Sequence, residues 1–287
     1  MAGYKGYRNK TAGLAGHERR GMFKTRLISG IVLVAAALAL IITGGEILLA
    51  ASCVISLIGM LELYRIFKIE RTAAAGAGYL AAVIFYLDLH GNWIPDKMML
   101  VTGFLIVLLA VYVLSYPKYH ASQVMAVFFG VFYVAVMLSC IYQTRVMEKG
   151  AYLVWLIFLC SWGCDTCAYC VGVKFGKHKM SPLLSPKKSM EGAAGGLAGT
   201  FLLTALYGTV FKGQMGIAST QVLVLAAIST IGGVISMIGD LAASAIKRNY
   251  EIKDYGTLIP GHGGILDRFD SVIFTAPVIY YMAKYLV

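Results

Sequence analysis

The chain has 287 residues, of which 59% are hydrophobic and only 14% charged, and its mean hydropathy is +0.75. Soluble domains carry about 25% charged residues, so this balance excludes an ordinary soluble domain and makes a bilayer the expected solvent. The net charge of +11 has no soluble basic face to occupy, which excludes nucleic-acid binding and fits loops at an anionic membrane face or a phosphate-bearing substrate.

In chain order, residues 1–26 form a polar, basic tail with Lys5, Arg8, Lys10, Arg19, Arg20, Lys24 and Arg26. No convincing small-residue cleavage site follows the first apolar run, which reads as a retained helix and not a signal peptide. Apolar runs long enough to cross hydrocarbon lie at 27–42, 47–67, 74–89, 98–115, 122–142, 152–173, 193–211, 220–246 and 268–286. Their lengths and their Ala, Leu and Gly content predict helices and not barrel strands. The expected fold is therefore all-α, a polytopic membrane protein with about nine transmembrane helices. Region 27–150 supplies N-terminal helices and 151–287 a C-terminal catalytic region. Only Thr43-Gly44-Gly45-Glu46 separates the first two runs, so 27–67 also fits a re-entrant pair.

Cation placement predicts the orientation. With the amino terminus inside, 19 of the 25 Lys and Arg fall in the tail and inner loops, which favours a cytoplasmic amino terminus and an outer carboxyl terminus. Two inner loops stand out, 174–192 and 247–267. Gly192, Gly195, Gly196 and Gly199 form overlapping GxxxG patterns that allow close helix approach. Six cysteines, Cys53, Cys140, Cys160, Cys164, Cys167 and Cys170, all lie in apolar stretches. Cys164, Cys167 and Cys170 form CxxCxxC without the fourth ligand of a cluster, and read as helix-packing residues.

The polar residues concentrate at the C-terminal end. Asp240 sits in an apolar helix, where an ionised Asp costs about 2.5–3.5 kcal/mol at mid-membrane. Asp240, Ser244, Lys247 and Arg248 follow at i, i+4, i+7 and i+8, one helical stripe of a carboxylate, a hydroxyl and two cations. The turn Pro260-Gly261-His262-Gly263-Gly264 comes next. A helix beginning just after Gly264 would offer free N–H groups to an anion. Asp267 and Asp270, three residues apart with Arg268 between them, then share a helix surface. Carboxylates beside Lys and Arg make a divalent-metal and phosphate site, since Mg²⁺ prefers carboxylate oxygens plus substrate phosphates. The competing reading is that these charges pair with one another and only anchor the helices.

Asp165 is a further intramembrane carboxylate, on one face with Ser161, Tyr169 and Gly172, placed to line a cleft. Ser185-Pro186-Lys187-Lys188-Ser189 supplies hydroxyls and ammonium groups suited to a triphosphate, although it is not a P-loop. His262 is open to two readings, a general base or metal ligand on one side and a hydrogen-bonding turn residue on the other.

Ser244 through Arg248, Lys253-Asp254, and Leu258 through Asp270 closely resemble the signature of the phosphatidate cytidylyltransferases, or CDP-diacylglycerol synthases. Asp165 through Tyr169, Gly172, Phe175-Gly176-Lys177 and Ser185 through Gly192 match that family's other C-terminal blocks. Specific agreement covers about residues 160–275, and the N-terminal half agrees only as hydrophobic spans. The resemblance implies transfer of the cytidylyl group of CTP or dCTP to phosphatidate, giving CDP-diacylglycerol and pyrophosphate. It implies Mg²⁺ on Asp240 and Asp267, with room for a second cation such as K⁺. Lys247 and Arg248 would balance phosphate charge, Ser185, Lys188 and Glu191 would form the nucleotide side, and Asp165 would line the pocket. Ser244, Lys253, Asp254, His262, Gly263, Gly264, Arg268 and Asp270 complete the implied substrate-binding set. The implied setting is the plasma membrane with these loops facing the cytoplasm, among membrane lipids, with a homodimer left open. Family members commonly carry Glu where this chain has Ala243, which removes one candidate for positioning metal or water.

Two alternatives remain at this level. One is a CTP-dependent transferase acting on another membrane lipid or a polyprenol. The other is an ion-coupled transporter, which would be expected to show paired inverted repeats with broken helices, and none is visible.

Overall fold

A computed structural model describes residues 28–286, so the basic tail at 1–26 lies outside the described residues. The described chain folds into helices α1 (Ile28–Thr43), α2 (Gly45–Ile66), α3 (Ala73–Gly91), α4 (Lys97–Leu114), α5 (Ala121–Val146) and α6 (Gly150–Phe175), then a hairpin of β1 (Lys179–Ser181) and β2 (Ser185–Ser189), then α7 (Met190–Met215), α8 (Ser219–Asn249) and α9 (Leu266–Leu286). The helices fall at the positions expected from hydropathy. Seven of them, α2 to α8, are long and apolar enough to cross a membrane, whereas α1 is shorter and α9 carries Asp267, Arg268 and Asp270 in its first turns. The expectation of nine spans thus rests on seven that meet the length and composition a bilayer demands.

The centre of the bundle is built from α2, α5, α6 and α9. Met60, Leu63 and Tyr64 of α2, Leu156 and Ile157 of α6, and Val272, Ile273, Ala276 and Ile279 of α9 are all fully buried. By contrast α4 buries only Phe104 and Leu108 and turns Ile106, Val107, Leu109 and Val113 outward. Large apolar side chains on outer faces are what a helix presents to lipid.

Helix ends show how backbone polar groups are satisfied. α1 stops at Gly44, whose φ of +62° favours glycine, and α2 starts immediately afterwards. Arg145 of α5 donates from Nε to the Ile41 carbonyl at 2.8 Å and from Nη2 to that of Ile42 at 3.2 Å. A cation thereby meets the carbonyl end of α1, where the helix dipole is negative. Ser189 caps α7 by accepting the Gly192 N–H at 3.1 Å.

α7 lies against α6 along its glycines. A side chain at Gly196 would reach the Ala168 Cβ at 2.9 Å and the Cys164 carbonyl at 3.0 Å, and one at Gly192 would meet the Ala168 carbonyl at 2.9 Å. The GxxxG expectation is borne out as close backbone approach. Cys160 and Cys164 are buried in this region, Cys167 is half-buried and Cys170 is exposed; all six cysteines are free. α6 also contains a π-helical stretch, Leu159–Gly163, just before Asp165, and α5 contains one at Val131–Val136. Such bulges change the facing of all later side chains and recur at functional sites.

The hairpin is the one element that the sequence reading leaves as plain loop. It is antiparallel, with Lys179 opposite Ser189 and Ser181 opposite Ser185. The 250–265 connection between α8 and α9 has no regular structure beyond an isolated bridge between Ile259 and Gly263.

Gly196→Val should lower thermal stability in detergent by about 1–3 kcal/mol through overpacking against α6. Gly213→Ala is the matched control, because a side chain there meets nothing within 4 Å. Equal melting temperatures for the two variants would show that the α6–α7 approach is not tight.

Candidate active site

A cavity of about 790 Å³ opens between α1, α6, the hairpin, α7, α8 and the start of α9. One wall is apolar, from Leu33, Val34, Ala37 and Leu40 of α1 and Ile55 of α2. The facing wall carries Asp165 of α6, Lys187 and Lys188 of β2, Asp240 and Lys247 of α8, Asp254 and His262 of the connection, and Asp267, Arg268 and Asp270 of α9. Of the residues expected from the sequence, these share one space. Ser185, Glu191, Ser244, Arg248, Lys253, Gly263 and Gly264 stand off its wall. The α8 stripe is thus narrower than its spacing suggests: Asp240 and Lys247 face the cavity and Arg248 is exposed elsewhere. Glu191 accepts the N–H of Lys177 at 3.0 Å and pairs with His178 Nδ1 at 2.6 Å, tying the hairpin to α7. Ser161 turns to the Ile157 carbonyl at 2.8 Å, while Asp165, Tyr169 and Gly172 of the same face do line the cleft.

Most of the charges are matched to partners. Lys188 forms an ion pair with Asp240. Lys247 Nζ meets Asp267 Oδ1 at 2.9 Å. Asp267 Oδ2 also accepts the N–H of Tyr255 at 2.7 Å and of Gly264 at 2.9 Å. The Asp267 side chain is only 2% exposed, so this full set of partners is what makes its charge tolerable. The Lys247 ammonium also lies 5.2 Å from the Tyr255 ring centre. Burial pushes the Tyr255 phenol above its ordinary range, so it stays protonated and donates to the Ala243 carbonyl at 3.1 Å. Asp270 and Arg268 take part in no ion pair among the described residues. The Arg268 Nε is buried without a hydrogen-bond partner among the described residues.

The start of α9 is not the open anion site that the glycine turn suggests. Its first N–H groups are taken by a residue that sequence reasoning missed. Glu62 of α2, 4% exposed, accepts the N–H of Ile265 at 3.0 Å and of Leu266 at 2.9 Å. Together with Asp267 on the Gly264 N–H, it fills the helix terminus with the protein's own carboxylates. The signal was available: Glu62 is a carboxylate inside the apolar run 47–67, where an unpaired charge is costly.

The turn before α9 is latched to α1. Ser29 Oγ donates to the Pro260 carbonyl at 3.0 Å and shares a 2.8 Å hydrogen bond with His262 Nδ1. That geometry favours the turn-residue reading of His262. Ala243 is fully buried against Tyr255 and lines no part of the cavity.

Five carboxylates face four Lys and Arg on this wall, so the lining has no positive excess for a polyanionic substrate. Among the described residues, no three His, Cys, Asp or Glu side chains converge closely enough to hold a metal by themselves. The carboxylates of this wall are hard oxygen donors of the kind a divalent cation takes one or two at a time, with substrate phosphates and water completing its shell.

Residues 24–286 match the model of the cytidylyltransferase family. Phosphatidate cytidylyltransferase of Staphylococcus saprophyticus is 33% identical over 261 residues, covering 89% of this chain and 97% of that protein. The proteins of the same name from Staphylococcus aureus and Staphylococcus haemolyticus are each 31% identical over 263 residues, with the same coverage. The chain belongs to the cytidylyltransferase family.

Lys247→Met should destabilise the protein by on the order of 3 kcal/mol, since it leaves the buried Asp267 without its cation. Lys187→Met, at an exposed lysine, should change stability by less than about 0.5 kcal/mol. Thermal unfolding in detergent compares the two, and an unchanged Lys247→Met midpoint would mean the pair contributes nothing.

Proposed function

We propose that this protein transfers the cytidylyl group of CTP to phosphatidate, releasing pyrophosphate and forming CDP-diacylglycerol. The observation that carries this reading is the two-sided cavity. An apolar wall from α1 faces a charged wall from α8 and α9, which suits a reaction between a membrane lipid and a soluble nucleotide. Relatives named phosphatidate cytidylyltransferase over nearly their whole length support the same assignment.

A phosphatidate oxygen attacks the α-phosphorus of CTP, a new P–O bond forms, and the bond to the β-phosphate oxygen breaks. The attacking phosphate is already ionised at neutral pH, so no strong general base is required. His262, hydrogen-bonded to Ser29, is therefore left to shape the turn. Repulsion between two anionic reactants is the main barrier, and preorganised positive groups lower it. Mg²⁺ held by Asp240 and Asp267, with a second cation such as K⁺ beside it, would supply that charge. Lys188 and Lys247 now stand on those two carboxylates, and are the cations at hand to turn to substrate phosphates. Arg268 adds its positive charge to the same wall, and Asp165 borders the nucleotide side.

The lysine-rich hairpin and the 250–265 connection suit a cytoplasmic aspect of the plasma membrane, from which CTP or dCTP would enter. Thr257 is exposed on that connection, so Thr257→Cys should be labelled by an impermeant thiol reagent only after the membrane is opened. Labelling in intact cells would reverse the orientation.

With purified protein, Asp240→Asn and Asp267→Asn should each reduce Mg²⁺-dependent pyrophosphate release from CTP and phosphatidate by about 100-fold or more. Full activity in either folded variant would remove that residue from the metal site. Replacing phosphatidate by polyprenyl phosphate or other lipid phosphates should abolish turnover, and a preference for one of them would transfer the assignment to that lipid.

A further inference from the structure

Glu62 reaches the catalytic wall without lining the cavity. A carboxylate buried in an apolar helix is costly unless its oxygens are satisfied. Here Oε1 accepts from Ile265 and Oε2 from Leu266, at 3.0 and 2.9 Å, across 203 and 204 residues of chain. The connection also closes around it as bare backbone. Side chains at Gly264 or Gly256 would both collide with the Glu62 carboxylate, so only glycine lets the chain approach this closely. One residue beyond Leu266 stands Asp267, and then Arg268 and Asp270, all on the cavity wall. The Arg268 carbonyl accepts the Trp162 indole N–H at 3.4 Å.

We propose that Glu62 is a positioning residue for the transfer reaction, fixing the first turn of α9 so that Asp267, Arg268 and Asp270 hold their places. The proposal rests on the cytidylyl-transfer reading for its kinetic test. Glu62 does not line the cavity, so its effect should fall on turnover and leave nucleotide affinity little changed. The isosteric Gln keeps one acceptor and sets an amide NH₂ against the other N–H, whereas Ala removes both acceptors.

The experiment measures kcat and KM for CTP in Glu62→Gln and Glu62→Ala, with Glu46→Gln on the same helix as control. Misplacement by about 1 Å can cost on the order of 100-fold, so kcat should fall about tenfold in Glu62→Gln and about 100-fold in Glu62→Ala. KM should stay within about threefold of its original value, as expected for lost orientation and retained binding. Gly256→Ala, pressing on the same carboxylate from the connection, should lower kcat likewise. A second readout is independent of turnover. With Trp93 and Trp155 replaced by Phe, the emission of Trp162 should shift in Glu62→Gln, because its Arg268 partner moves.

A kcat within about threefold of wild type in both Glu62 variants overturns the proposal, and so does a loss carried by KM alone. Loss of folded, monodisperse protein in both Glu62→Gln and Gly256→Ala overturns it too, since the residue then serves folding only. If the wild-type protein releases no pyrophosphate from CTP and phosphatidate, the catalytic reading falls instead. The Trp162 emission then decides for Glu62: an unchanged spectrum overturns the proposal and a shift supports it.

Discussion

The structure depends on how the N-terminus of α9 is neutralised. A helix that begins inside an apolar bundle exposes N–H groups that no lipid tail can satisfy. Here Glu62 and Asp267 supply the acceptors, one from α2 and one from the helix itself. Because Glu62 comes from the far N-terminal half, the same contact fastens that half of the chain to the charged wall.

The same economy governs the rest of the wall. Lys188 on Asp240 and Lys247 on Asp267 let the charged groups exist in a partly apolar setting before any substrate arrives. The two readings of this region drawn from spacing, anchoring pairs or a metal and phosphate site, are therefore not exclusive. Pairs that stabilise the cavity hold the very groups that, on the proposed function, a divalent cation and two phosphates would engage. A partner swap of this kind keeps the number of unpaired charges low at each stage, which matters more near lipid than in water.

Much of this was legible in the sequence because it is local. Hydropathy places the helices, GxxxG spacing places the α6–α7 contact, and the run from Asp240 to Asp270 gathers most of the charged wall. The illegible part depends on distance in the chain or on helix phase. Glu62 acts across about 200 residues, and nothing in its neighbourhood names its partner. The π-helical stretch at Leu159–Gly163 holds Ser161, which turns away to the Ile157 carbonyl while Asp165, Tyr169 and Gly172 line the cleft, a break that a constant 100° per residue does not register. The narrowing of the α8 stripe has a different cause. Ser244 and Arg248 are on the stripe by spacing, but the cavity meets only the part of it that α9 and the hairpin enclose.

The position of Ala243 bears on mechanism more than its identity does. It is fully buried, its carbonyl takes the Tyr255 hydroxyl, and it lines no part of the cavity. A carboxylate there would enter close packing beside a donor that is already committed, and would need a partner of its own. Its absence leaves the charged wall unchanged, with Asp165, Asp240, Asp267 and Asp270 still facing one space. On the proposed function the reaction runs along the carboxylates of that wall and the cations beside them, and Ala243 acts through the seat that its carbonyl gives Tyr255, which holds the 250–265 connection on α8.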